Sequence, residues 1–337
     1  MLYTNGHMRI ALCTKDDTEK AYLTEHLSGH DLVFTDRLLD VPEPHTVECL
    51  CIFAKTPVQV AELEHFPALR GVVTRSTGYD HIDVAEAQRR GVIVSNVPGY
   101  GENTIAEYAF AMLLALSRRI CETDRRIRID GLFTTDGLDG FDLCGKKVGV
   151  VGTGHTGERA LRIARGFGME AIAYDVVERK HLEAEIGFMY VTFDDLLTQS
   201  DVISLHAPYN EHTHHMIGMH NKHLVRRGTY LINTARGGLV QTRALIAMLE
   251  DGTLAGAGLD VVEEESLMTQ RTDVLTSEDP DALVLQTLLA NQYLIDHPNV
   301  LIMPHNAFNT REARERILAT TVTNVQALAQ GTPENIV

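Results

Sequence analysis

Three polar residues have the types and placement to do chemistry: Arg236, followed by two glycines, Glu265 in the acidic run 263–265, and His305 just after Pro304. Each follows an apolar run that reads as a strand (230–233, 257–259 and 300–302). Ligands of open α/β sheets bind at the carboxyl ends of such strands. Singly, each has an ordinary explanation: a surface ion pair, a solvated acidic face, a histidine at a strand end. Together they suit reduction of a carbonyl that sits beside a carboxylate. Hydride arriving at the carbonyl leaves charge on oxygen, and a histidine paired with a carboxylate can donate a proton near neutral pH. A guanidinium can grip the carboxylate in a bidentate fork and polarise the neighbouring carbonyl. The set asks for a 2-oxo acid.

A hydride carrier has its own signature. Gly152, Gly154 and Gly157 form G-x-G-x-x-G directly after the run 147–151 and at the head of a helical pattern. That motif alone is weak, and context strengthens it: strand before, helix after, and Asp175 closing the next strand. The glycines let the backbone turn tightly and approach a pyrophosphate, which then faces helix N–H groups. Asp175 would accept from the ribose hydroxyls and repel a 2′-phosphate, so NAD is the expected cofactor. Arg179 and Lys180 stand close enough to keep some NADP use open.

The elements that must position these residues alternate between short β-rich runs and helical patterns. Strands are expected at 8–13, 32–34, 50–53, 71–74 and 92–94, then a long amphipathic helix at 103–120 and a glycine-rich stretch at 131–145. A second series follows at 147–151, 171–174, 202–205, 230–233, 257–259 and 300–302. A last helix at 311–330 ends at Gly331 with Pro333 beyond it. The fold expected is α/β with two doubly wound parallel-sheet domains. Residues 1–99 plus 310–337 would form a flavodoxin-like substrate domain, and 100–309 a Rossmann NAD-binding domain.

Composition narrows the partners. With 30 Lys and Arg against 46 Asp and Glu, a formal charge of -16 over 337 residues argues against nucleic acid and anionic membranes. No run of about 18 apolar residues could span a bilayer. Residues 1–9 show no basic apolar leader, so a cytoplasmic location is expected. The five cysteines, with Cys49 and Cys51 in one apolar run, read as buried thiols and not as a metal knuckle. The run His212, Thr213, His214, His215 lacks carboxylate–histidine spacing, so no metal is expected. Arg118, Arg119, Arg125 and Arg126 read as a solvated or interfacial face.

Several blocks in order resemble the D-2-hydroxyacid dehydrogenase family, most of all its D-lactate dehydrogenase branch. They include RSTGYDHID at 75–83, NVPGYGENTIAE at 96–107, VGVVGTGHTG at 148–157 and DVISLHAP at 201–208. NTARGGLV at 233–240, GLDVVEEE at 258–265 and NVLIMPHNAF at 299–308 complete the series. The resemblance implies Arg236, Glu265 and His305 as the catalytic set, choosing Glu265 among the three glutamates. It implies that Asp260 and the Thr234–Ala235 backbone hold the nicotinamide, and that His155 and Thr156 lie at the pyrophosphate. His206, Ala207, Pro208 and Thr213 would line the adenosine side. The N–H groups of Thr77 and Gly78 would take the substrate carboxylate, with Phe53, Tyr100 and Phe308 around the substrate side chain.

The same resemblance implies a homodimer, built on the helix 103–120 and the stretch after it. Glu265 and Thr77 differ from the glutamine and lysine of formate- and phosphite-oxidising relatives, which points to a 2-oxo acid or 2-hydroxy acid substrate. Asn309 and Met303 depart from the D-lactate branch and bear on which acid that is. Pyruvate-like acids come first. A glyoxylate or hydroxypyruvate reductase of the same family and an NADH-sensing scaffold like the C-terminal-binding corepressors are the alternatives.

Overall fold

The computed structural model describes residues 6–269, 274, 276 and 281–337, and the chain divides into two compact units, Met1–Tyr100 with Asn309–Val337, and Gly101–Phe308. The first unit is built on a five-stranded sheet of β1 (Arg9–Cys13), β2 (Asp31–Thr35), β3 (Cys49–Ile52), β4 (Gly71–Thr74) and β5 (Ile93–Ser95). Their order is β2-β1-β3-β4-β5, and every pairing is parallel. Parallel strands covered on both faces need continuous apolar runs. β3 and β4 are accordingly buried at every position.

One face of this sheet carries a core of Leu50, Ile52, Phe66 and Val72. The other is covered by the helices Asp17–His26 and Arg311–Gln330, the latter through Leu318, Val322, Val325 and Leu328. Each side chain of this size contributes about 1.5–3 kcal/mol when fully buried. Both helices start on side-chain caps, Asp16 accepting from the Thr18 and Glu19 N–H groups and Thr310 from the Ala313 N–H. Cys13, Cys49 and Cys51 are buried as expected, and desolvation pushes the Cys13 and Cys51 thiols up to about 11. Cys121 and Cys144 in the second unit are exposed, so the buried-thiol reading holds for only three of the five.

The second unit holds β6 (Lys147–Val151), β7 (Glu170–Tyr174), β8 (Met189–Tyr190), β9 (Val202–Leu205), β10 (Thr229–Asn233), β11 (Leu254–Leu259) and β12 (Val300–Ile302). The order is β12-β11-β10-β9-β6-β7-β8, again all parallel. It is the Rossmann arrangement, winding outward in both directions from β6. The expected six strands become seven because β8, a two-residue edge strand, pairs with β7. The long helix ends earlier than its apolar pattern, at Ser117, where Arg119 takes a left-handed backbone with φ 48° and a new short helix begins. Helices Glu265–Thr269 and Ala282–Asp296 account for much of 266–298. Among the described residues, no helix is long and apolar enough to cross a membrane.

Candidate active site

The G-x-G-x-x-G turn forms as its glycines require. Gly152 sits at φ +88°, with its N–H on the Tyr174 carbonyl, and a Cβ there would press within 2.8 Å of the His206–Ala207 backbone. A Cβ on Gly157 would overlap the Gly152 carbonyl. A Cβ on Gly154 would meet no atom within 4 Å, so open space lies where the helix His155–Gly166 begins. The first-turn N–H groups at His155 and Thr156 point out of that end, which makes it an anion cradle. His155 itself is mostly exposed, 3.8 Å from Glu102.

Asp175 stands just past β7, and its carboxylate turns back onto the glycine loop. Oδ2 accepts from the Thr153 N–H at 2.6 Å and the Thr153 hydroxyl at 2.9 Å, while Oδ1 accepts from the Val177 N–H at 3.0 Å. Oδ1, with a single donor, keeps a second lone pair for a ligand hydroxyl. The two cations that kept NADP open are engaged elsewhere. Arg179 donates to the Thr153 and Gly154 carbonyls and pairs with Glu158, and Lys180 pairs with Glu178 and Glu183.

Across the loop, β9 leads into His206, Ala207 and Pro208, and the Thr213 hydroxyl closes back on the Pro208 carbonyl at 2.8 Å. Burial pushes the His206 imidazole, 2.9 Å from Ser204 Oγ, down from 6.5 to about 4. The unfolded chain therefore takes up this proton near pH 6.5 and the folded chain only near 4, so stability falls as pH drops through that window. The contribution is at most about 3 kcal/mol. Between neutral pH and about pH 4.5, the urea midpoint should fall less for His206→Gln than for the wild type; equal falls would remove His206 as the cause.

β10 delivers Thr234, Ala235 and Arg236. The Thr234 hydroxyl is buried with no partner among the described residues, a situation that ordinarily costs about 1–3 kcal/mol and that a bound polar ligand relieves. Asn233 organises this turn. Its Oδ1 accepts from the Ala235 N–H at 3.0 Å and its Nδ2 donates to the Arg236 carbonyl at 2.8 Å. Arg236 has an extended backbone, and its guanidinium reaches the Ala235 carbonyl.

β11 and β12 bring the remaining pair together. His305 Nδ1 lies 2.7 Å from Glu265 Oε1, with side-chain exposures of 19% and 31%, so both groups are sheltered yet reachable. Asp260, 1% exposed, holds the loop that carries the imidazole: its carbonyl accepts from the His305 N–H, and its carboxylate accepts from the N–H groups of Asn306 (2.7 Å) and Ala307 (2.9 Å). Burial pushes the Asp260 carboxyl up, and those N–H groups and His305 pull it back toward ionisation. Phe308 follows on the same loop.

His305 has φ 57°, Glu264 has φ 51° and His215 has φ 51°. A left-handed backbone at a non-glycine residue costs about 1–3 kcal/mol and persists where the surroundings over-determine it. Among the described residues, three of the six with such a backbone thus fall in the segments around the histidine and its glutamate.

The other residues expected at the substrate belong to the first unit. Phe53 follows β3, with the Arg75 guanidinium 5.6 Å from its ring centre. Thr77 and Gly78 follow β4. The Thr77 hydroxyl donates to the Val97 carbonyl, the Thr77 carbonyl accepts from Asn96, and the N–H groups of Thr77 and Gly78 donate to no acceptor among the described residues. Tyr100 is buried, its carbonyl held by Arg316 at 2.7 Å. Asn233, Glu263 and His215, all engaged around Arg236 or Glu265, were not singled out for a role from sequence, because their parts run through main-chain and side-chain contacts that no spacing shows. The His212–His215 run holds no metal-binding cluster among the described residues.

Residues 110–307 match the family described as D-isomer specific 2-hydroxyacid dehydrogenase, NAD binding domain. The chain is 38% identical over 299 residues to a glyoxylate reductase of Thermococcus litoralis, covering 86% of this chain and 83% of that protein. It is 33% identical over 331 residues to a D-lactate dehydrogenase of Escherichia coli, covering 96% of this chain and 98% of that protein. Among solved structures, D-lactate dehydrogenase from Aquifex aeolicus complexed with NAD and lactic acid matches with a TM-score of 0.88 at 33% identity, covering 96% of each chain. The open glycine cradle, the free helix N-terminus and the unpartnered Thr234 hydroxyl all fit NAD. The chain belongs to the D-isomer-specific 2-hydroxyacid dehydrogenases and is an NAD-dependent oxidoreductase acting on CH–OH donors.

Proposed function

We propose that this enzyme reduces a small, pyruvate-like 2-oxo acid to the D-2-hydroxy acid, with Arg236 as carboxylate clamp and His305–Glu265 as proton relay. The observation that carries the reading is the 2.7 Å contact between His305 Nδ1 and Glu265 Oε1. Bound NADH supplies the hydride that reaches C2. Arg236 holds the carboxylate in a fork and draws charge toward the carbonyl oxygen. Glu265 fixes the imidazole through Nδ1. Nε2 is then left to give its proton to the carbonyl oxygen, so that one hydride and one proton complete the alcohol. In the reverse direction neutral His305 takes the hydroxyl proton.

The reading extends to two copies of the chain paired through the arm 120–133. That arm exposes Ile129 (75%) and Phe133 (92%), an apolar surface of the kind monomers rarely leave open. The free cysteines agree with a cytoplasmic setting. A glyoxylate or hydroxypyruvate reductase is the second reading, favoured by the 38% identity to the Thermococcus litoralis enzyme.

Loss of NADH absorbance with pyruvate, glyoxylate, hydroxypyruvate and phenylpyruvate decides between them. The highest kcat/KM is expected with pyruvate. A preference for glyoxylate or hydroxypyruvate would move the substrate and keep the mechanism. NADH binding without turnover of any acid would overturn the reading.

A further inference from the structure

The relay needs its carboxylate held in place, and the hydrogen bonds around Glu265 show what does so. Glu263, two residues earlier, is anchored at three points. Its Oε1 lies 2.5 Å from His215 Nε2, its Oε2 accepts from the Thr242 N–H at 2.6 Å, and its carbonyl accepts from Asn291 Nδ2 at 3.1 Å. The chain then turns through left-handed Glu264, whose carbonyl accepts from the Leu267 N–H as the helix Glu265–Thr269 begins. Glu265 therefore stands one constrained residue away from a fixed point.

His215 is fixed as well. It is left-handed at φ 51°, its N–H donates to the Gly238 carbonyl at 2.8 Å, and its ring stacks on His214 at 3.7 Å. His214 in turn shares a 2.9 Å hydrogen bond with the Tyr209 hydroxyl. Gly237, next to Arg236, lies so close to the Val262–Glu263 peptide that it has no room for a Cβ. The loop 209–217, the turn after Arg236 and the segment leading to Glu265 thus meet at the contact between His215 and Glu263.

We propose that His215 and Glu263 are a positioning pair for the reaction: their hydrogen bond fixes the turn that delivers Glu265 to His305. Neither needs to touch substrate. The proposal rests on the relay reading above, and the variants separate the two.

Glu263→Gln keeps the size and an acceptor for Thr242 but weakens the bond to His215. His215→Ala removes that bond, and His215→Gln retains a donor. Glu263→Gln and His215→Ala are expected to bind NADH as the wild type does and to lose about 10- to 100-fold in kcat. The loss should fall on kcat, with the KM for the 2-oxo acid little changed, because neither residue touches substrate. His215→Gln should keep more turnover than His215→Ala.

A lowered melting temperature with wild-type kcat would reduce the pair to a structural contact and overturn the proposal. Unchanged kcat in both Glu263→Gln and His215→Ala would overturn it too, as would equal losses in the two His215 variants. If His305→Ala itself keeps turnover, it is the relay reading that fails. If His305→Ala is inactive while the pair's variants are normal, the pair fails alone.

Discussion

His305→Ala should lose about 10²- to 10⁴-fold in kcat, the range of a positioned general acid, while its affinity for NADH stays at the wild-type level. The separation follows from how the loop is built. Asp260 holds residues 305–307 through three main-chain N–H groups, none of which depends on the imidazole. The glycine cradle and the Thr234 hydroxyl lie on other loops, after β6 and β10. Alanine at φ 57° adds some backbone strain, so His305→Asn, a residue that tolerates left-handed geometry, provides the matched control. Both variants should bind NADH in a fluorescence titration and both should fail in turnover. Substantial turnover in either would exclude His305 as the proton donor.

The second large effect distinguishes two glycines of one motif. Gly154→Ala should fold and melt like the wild type, since the new Cβ meets no protein atom within 4 Å. The methyl instead enters the space in front of the first-turn N–H groups, where the pyrophosphate must approach, and NADH affinity should fall by about 10- to 100-fold. Gly157→Ala should lose NADH affinity and stability together. Its Cβ would overlap the Gly152 carbonyl, so the loop must shift, at a cost of about 1–3 kcal/mol or more. Calorimetric titration and thermal melts of both variants check this. Wild-type affinity in Gly154→Ala would mean that the cofactor phosphates do not sit at this helix end.

Strand positions were legible wherever apolar residues ran without interruption. β4, β6 and β9 begin and end where those runs do, and the helix Arg311–Gln330 spans its full periodic pattern. The sequence pattern shows only 257–259 of β11, because Gly256 breaks the apolar run near its start. It is a glycine for packing reasons, lying against the Asn299 carbonyl and the Tyr230 ring. β8 has only two residues, too few for any periodicity, and exists through its pairing with β7. The premature end of the long helix at Ser117 carries no glycine or proline signal.

Within the site, residue type and strand-end position were enough to single out Arg236 and His305. They were not enough to choose among three consecutive glutamates, and the structure sorts these by partner: Glu265 meets His305, Glu263 meets His215, and Glu264 takes the left-handed turn between them. Asp260 and Asn233 act through main-chain contacts whose partners lie elsewhere in sequence or depend on an unusual backbone, so their parts emerge only in three dimensions.

The first unit is interrupted in sequence by the whole of the second, and its closing piece is the helix Arg311–Gln330. A ribosome therefore makes every strand of both sheets before it makes the helix that seals the first sheet's exposed face through Leu318, Val322, Val325 and Leu328. Until then Ile10, Leu12, Cys49 and Val73 lack that cover. The cofactor-binding unit, continuous in sequence, can mature on the nascent chain, whereas the other waits for that helix and presents a sticky surface meanwhile. During synthesis the first unit begun is the last one finished.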